Sequence, residues 1–99
     1  MKPAIGIADK NLNKSTAILS TVLADEMTLY TKTRKFHWNV SGESFMELHK
    51  LFQEQYSGLE ETIDMVAERI NKLGCRTIGT MHEFSALTRM KESPDKYPN

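Results

Sequence analysis

The strongest pattern in the chain runs from Phe45 to Leu73. Phe45, Leu48, Phe52, Tyr56, Leu59, Ile63, Val66, Ile70 and Leu73 follow one another in steps of three and four residues. That spacing holds one stripe on one side of an α-helix and predicts a bundle or coiled-coil seam. The helix is expected over Phe45–Leu73, with Ser44 and Glu47 forming a capping box, Lys72 in the last turn and Gly74 at the stop. An earlier helix is expected from Asn13–Ser15 to about Trp38. On a wheel advancing about 100° per residue, Ile18, Leu19, Val22, Leu23, Met27, Leu29, Tyr30, Phe36 and His37 share an arc of roughly half the circumference. Ala24, Thr28, Lys32 and Lys35 occupy the opposite side. Breakers agree with this division: none lies between Gly6 and Gly42, and Gly58 alone interrupts Gly42 to Gly74. Thr80 and Glu83 make a second capping box, so a short third helix is expected there. Residues 1–12 are expected to be a tail, and 91–99, with Pro94 and Pro98, a loop.

Two such helices, each about 40 Å long at 1.5 Å per residue, cannot close a core by themselves. The expected fold is therefore all-α, a long antiparallel hairpin amounting to half of a four-helix bundle and completed by oligomerisation. Residues 1–99 form a single domain.

Beside the seam of the second helix runs a polar line: His49, Gln53, Glu60, Asp64 and Glu68. Imidazole and carboxylates bordering a buried face suit iron, manganese or zinc; a solvated flank paired with lysines and arginines is the plainer alternative. His49 and Asp64 lie about 22 Å apart along the helix axis, so one chain cannot bring both to one metal. However, 49 and 68 share the midpoint 58.5 with 53 and 64. An antiparallel two-fold pairing there sets His49 and Gln53 of one copy against Asp64 and Glu68 of another, with Gly58 permitting close approach. Such an isologous dimer would build two equivalent sites. His37, in the last turn of the first helix, comes to the same end as His49 across a tight hairpin. A mixed imidazole and carboxylate set with open positions suits Fe(II) better than structural zinc.

Composition narrows the classes. The 99 residues carry 13 Lys+Arg against 13 Asp+Glu, a formal net charge of zero, which argues against a strongly basic nucleic-acid binder. A single cysteine, Cys75, excludes an internal disulfide framework and multi-cysteine metal motifs. No run has the length and apolarity of a membrane span, and Met1–Lys10 has no apolar signal-peptide core, so a cytoplasmic protein is expected. Cys75 is read as a small inert filler, His82 as capping or solvent-facing, and Met27, Met46, Met65 and Met81 as core filling.

Several fixed-spacing motifs together resemble the Dps proteins, the dodecameric mini-ferritins. They are Phe36-His37-Trp38-Asn39-Val40 followed by Gly42; Phe45-Met46-Glu47-Leu48-His49; Tyr56; Ile63-Asp64-Met65-Val66-Ala67-Glu68-Arg69-Ile70 with Leu73-Gly74; and Gly79-Thr80. The resemblance spans roughly residues 12 to 98. It implies a ferritin-like four-helix bundle, assembled into a hollow shell that oxidises Fe(II), typically with hydrogen peroxide. The shell stores the Fe(III) mineral and protects against oxidative stress, and some members coat DNA. It further implies a ferroxidase centre across the dimer two-fold, with His37 and His49 from one subunit and Asp64 and Glu68 from the other. Trp38 resembles the tryptophan beside that centre; packing at a helix end is its plainer role. A ferritin-type Glu-x-x-His is absent, since Arg34, Met46 and Gly79 stand three residues before the histidines.

Two positions depart from the family pattern. Gln53 stands where an aspartate is usual, which removes one negative charge per site; Glu60, near the two-fold, is the candidate replacement. The chain also stops at Asn99, before the family's third and fourth long helices. A two-fold dimer is thus the expected minimum assembly, and a dodecamer requires the missing helices. DNA binding has little support, because the tail offers only Lys2 and Lys10 with Asp9. Besides iron oxidation, two readings stay open: a non-catalytic helical assembly module with a degenerate metal site, and a zinc or manganese site.

Overall fold

A computed structural model describes residues 9–98. Three helices are present among them: α1 at Asp9–Asn39, α2 at Phe45–Lys72 and α3 at Met81–Leu87. No strand occurs among the described residues, and no helix is long and apolar enough to cross a membrane. The hairpin of α1 and α2 dominates, giving a rod of 55 × 22 × 17 Å.

The α2 seam packs on α1 as its spacing requires, and Ile70 at its far end is fully buried. Most of the seam is only half-covered, and Phe45 at the near end is 39% exposed. The helix stops as expected. Gly74 takes a positive φ of 85°, the Gly74 N–H donates to the Asn71 carbonyl at 2.9 Å, and the Cys75 N–H donates to that of Ile70 at 3.3 Å. This is a Schellman closure, whose left-handed residue is cheapest as glycine. At α3 the Thr80 hydroxyl accepts from the Glu83 N–H at 3.1 Å while Glu83 accepts from the Thr80 N–H at 3.0 Å, completing the anticipated box.

Five expectations are corrected. The first helix begins at Asp9, not at Asn13–Ser15, so residues 9–12 are not tail. No breaker stops it, and Leu12, 6% exposed, continues the face of Leu19 and Leu23; residues 1–8 lie outside the described residues. Ser44 makes no side-chain cap at α2, because its φ of −95° and ψ of 23° lie outside the extended region in which a capping side chain reaches back. The turn closes through backbone bonds, Phe45 N–H to the Gly42 carbonyl at 3.3 Å and Leu48 N–H to that of Ser44 at 3.0 Å.

The side of α1 opposite the apolar arc is covered rather than left to solvent. Ala24 is fully buried and forms the core with Leu23, Ile70 and Phe84, because the segment after α2 folds back over that side. Polar ties secure it. Asp25 accepts from the Thr88 hydroxyl at 2.8 Å, the Arg89 N–H at 2.7 Å and the Arg89 guanidinium. Lys35 donates to the carbonyls of Ser93 and Pro94 at 2.9 and 2.7 Å, with its ammonium over the Tyr97 ring. Finally, Met46, Met65 and Met81 are about two-thirds exposed or more, and only Met27 packs against the core. Ile18 and Leu29, expected in the buried arc, are 57% and 42% exposed.

Candidate metal centre

The hairpin turn brings two histidines face to face. The rings of His37 and His49 stack with centroids 3.7 Å apart and planes 25° from parallel. Each imidazole is tied to the backbone of the other residue: Nδ1 of His37 bonds the His49 carbonyl at 2.8 Å, and Nδ1 of His49 bonds the His37 carbonyl at 3.0 Å. The exchange follows from position. His37 lies in the last turn of α1, where carbonyls lack intrahelical partners, so His49 satisfies one of these orphans. A carbonyl only accepts, so Nδ1 is the donor in both rings, and in the neutral imidazole the remaining lone pair is then on Nε2. Tying one ring nitrogen to a carbonyl is how proteins orient metal-binding histidines.

Aromatic rings fix the pair from both sides. Phe45 stacks on His49 with centroids 5.1 Å apart, and Tyr56 meets His37 edge-on at 5.2 Å. His37 is buried at 8% exposure, and His49 is half-buried.

The polar line of α2 lies differently. Gln53, Asp64 and Glu68 are exposed. Among the described residues Asp64 and Glu68 make no hydrogen bond or ion pair, so no described residue neutralises this flank. No group of three or more His, Cys, Asp or Glu side chains converges within one chain among the described residues, in keeping with the axial separation of the histidines from Asp64 and Glu68. An ideal Cβ on Gly58 would meet nothing within 4 Å, so the α2 surface at the supposed two-fold centre is open.

Glu60 is not free. Its Oε1 accepts from the Tyr30 hydroxyl at 2.8 Å and from Arg34 at 3.3 Å, while Arg34 Nε donates to the same Tyr30 hydroxyl at 2.6 Å. The guanidinium also lies 4.2 Å from the Tyr56 centroid, a cation–π contact. These bonds to the phenol and the carboxylate push the Arg34 pKa up. Trp38 is 66% exposed, with Arg34 5.7 Å from its ring centroid, so it is not packed within the chain.

Sequence reasoning overlooked Phe45, Tyr56, Tyr30 and Arg34 as neighbours of this site. The signal was present for two of them. Tyr56 is two helical turns beyond His49, and Arg34 is one turn before Trp38. Elsewhere, an open groove of about 630 Å³ runs between α1 and the segment after α2, touching Met27, Phe36, Met81 and Phe84; it contains neither histidine.

The ferritin-like domain profile matches residues 16–99. The chain belongs to the ferritin-like family. A low temperature-induced protein of Nostoc sp. is 40% identical over 95 residues, covering 96% of this chain and 53% of the relative. The DNA protection during starvation protein of Helicobacter pylori is 42% identical over 79 residues, covering 80% and 55% respectively. Among solved structures, the Dps protein of Vibrio cholerae O1, described as a member of a superfamily of ferritin-like diiron-carboxylate proteins, superposes with a TM-score of 0.86. It is 32% identical, covering all of this chain and 63% of that one. DpsC of Streptomyces coelicolor gives 0.92 at 29% identity, covering 97% and 56%. The resemblance to Dps read from the motifs therefore holds across nearly the whole chain, and the all-helical, ferritin-like architecture with it. The chain spans about half the length of the curated relatives it matches.

Proposed function

We propose that this chain carries the metal donors of a Dps-type ferroxidase, which oxidises Fe(II) to Fe(III) with hydrogen peroxide or oxygen in iron storage and oxidative-stress protection. Iron is the substrate. One observation carries the reading: two stacked imidazoles, each with its Nδ1 proton spent on a carbonyl, leave two Nε2 atoms as donors at the turn end of the hairpin. A histidine pair kept only for packing needs neither the reciprocal bonds nor the shared tautomer. Asp64 and Glu68, exposed and without partners among the described residues, are the second half of the set, supplied by the two-fold-related copy. The open surface at Gly58 supports that pairing.

Within this reading the residues divide the work. His37 and His49 supply neutral donors of fixed direction, and Asp64 and Glu68 supply the negative charge that favours Fe(III) over Fe(II). Gln53 contributes an amide oxygen in place of a carboxylate. Glu60 is occupied by Tyr30 and Arg34, which argues against its replacing the missing charge.

A mixing experiment tests the two-chain site. One variant carries His37→Ala and His49→Ala; the other carries Asp64→Ala and Glu68→Ala. Each alone is expected to be inactive in Fe(II) oxidation followed by absorbance. In a hybrid dimer one site lacks every donor and the other has all of them. Random pairing of equal amounts therefore restores about a quarter of the wild-type sites. No recovery in hybrids shown to form would refute the shared site. Wild-type-like oxidation by both variants alone would favour the non-catalytic assembly module.

A further inference from the structure

We infer that Tyr56 and Tyr30 form an electron relay leading from the candidate metal centre to a proton-accepting carboxylate, Glu60. The inference rests on the ferroxidase reading for its oxidant, and on the structure alone for its path. His37, Tyr56 and Tyr30 are in edge-to-face succession, with centroids 5.2 and then 6.1 Å apart. Tyrosine is readily oxidised only when its phenolic proton can leave together with the electron. Tyr30 is built for that. Its hydroxyl donates to Glu60 Oε1 at 2.8 Å and accepts from Arg34 Nε at 2.6 Å. Arg34 also spans the assembly, 4.2 Å from the Tyr56 centroid and 5.2 Å from that of Tyr30. Trp38 lies on the same side, but its ring is 66% exposed, and among the described residues nothing accepts its indole proton.

The chemistry balances with Fe(II) and hydrogen peroxide alone. One Fe(II) reduces peroxide by one electron, giving Fe(III), hydroxide and a hydroxyl-radical-level oxidant. Tyr30 supplies the second electron through Tyr56, which turns that oxidant into a second hydroxide, while the phenolic proton passes to Glu60 Oε1. A neutral tyrosyl radical remains. A second Fe(II) reduces it, the proton returns from Glu60, and two Fe(II) have been oxidised per peroxide with no free radical released. The relay would thus let the centre act as a two-electron reductant of peroxide even with a single iron bound. That suits a site in which Gln53 has removed one carboxylate.

Two arms test the relay. In the first, peroxide is added to the Fe(II)-loaded protein and the reaction is freeze-quenched for electron paramagnetic resonance, with ring-deuterated tyrosine to identify the radical. Tyr30→Phe is expected to abolish the tyrosyl signal and move consumption from two Fe(II) per peroxide toward one, with Co(II) binding unchanged. In the second arm a photogenerated ruthenium(III) tris-bipyridine replaces iron and peroxide. Here the wild type is expected to form the Tyr30 radical, and Glu60→Gln and Tyr56→Phe to lower its yield. A signal and stoichiometry that survive Tyr30→Phe overturn the relay. Radical formation by ruthenium without Fe(II) oxidation would support the relay and overturn only the ferroxidase reading.

Discussion

Glu26 sits on the inner face of α1, yet neither carboxylate oxygen has a hydrogen-bond partner among the described residues, and both are sealed from solvent. Burial pushes its pKa up from the ordinary 4.5. The direction fixes the pH dependence. Above the ordinary carboxylate range the unfolded chain has released this proton while the folded chain still holds it. The folded state then binds more protons, so stability declines as pH rises from the ordinary value through the raised one. Below the ordinary value the penalty is absent. An unsatisfied buried polar group costs about 1–3 kcal/mol. Glu26→Leu, which removes both charge and polar atoms, is therefore expected to gain about that much at pH 8. In a domain of this size each kcal/mol moves the midpoint by about 4–8 °C. Glu26→Gln keeps the shape and removes only the charge, so its gain should be present at pH 8 and vanish near pH 4. Thermal melts by circular dichroism at both pH values, at one fixed protein concentration, separate the effects. Equal shifts of the Gln variant at both pH values, or a loss of stability at pH 8, would show that another chain pairs this carboxylate and would refute the reasoning.

Two further outcomes follow from named residues. Gln53→Asp is expected to tighten Fe(II) binding or speed its oxidation, because it adds a carboxylate to the proposed donor set; an unchanged iron titration would contradict this. Asp25, held below its ordinary pKa chiefly by the Arg89 N–H and then by Thr88 and the Arg89 side chain, stabilises the packing of α3 only while ionised. Because its folded value is depressed, that contribution is complete above the ordinary carboxylate range and is lost as pH falls below it. Asp25→Asn should therefore speed amide exchange over residues 81–90 at neutral pH, with the difference from wild type closing in acid.

The sequence was most legible where one physical cause decides the outcome. The α2 seam, the Gly74 stop and the Thr80–Glu83 box each follow from spacing or from a single dihedral requirement, and each is present in the structure. The meeting of His37 and His49 followed from helix length and a short connection. Legibility failed where the answer depended on what lies on top. A wheel shows Ala24 opposite the apolar arc of α1, but not that Phe84 will return to bury it. The same wheel cannot show that Met46 and Met65 stay uncovered. Ser44 and Glu47 have the right letters for a capping box, yet the Gly42 turn sets Ser44 at dihedrals where its hydroxyl cannot reach the helix. The Tyr30–Arg34–Glu60 cluster joins residues 26 to 30 positions apart, and no local pattern reports a pairing at that range.

The reciprocal bonds between His37 and His49 tie the proposed donors to the length of the connection between their helices. Each ring is positioned against a peptide carbonyl of the opposite helix, so the spacing of the two Nε2 atoms is inherited from the backbone hairpin. One residue added between Val40 and Ser44 would turn α2 by about 100° relative to its present register, or shift it along its axis by about 1.5 Å. Either change parts both bonds together. The turn, which touches no metal, is therefore the gauge that sets the bite of the site, and it has far less freedom to vary in length than the segment that follows α3.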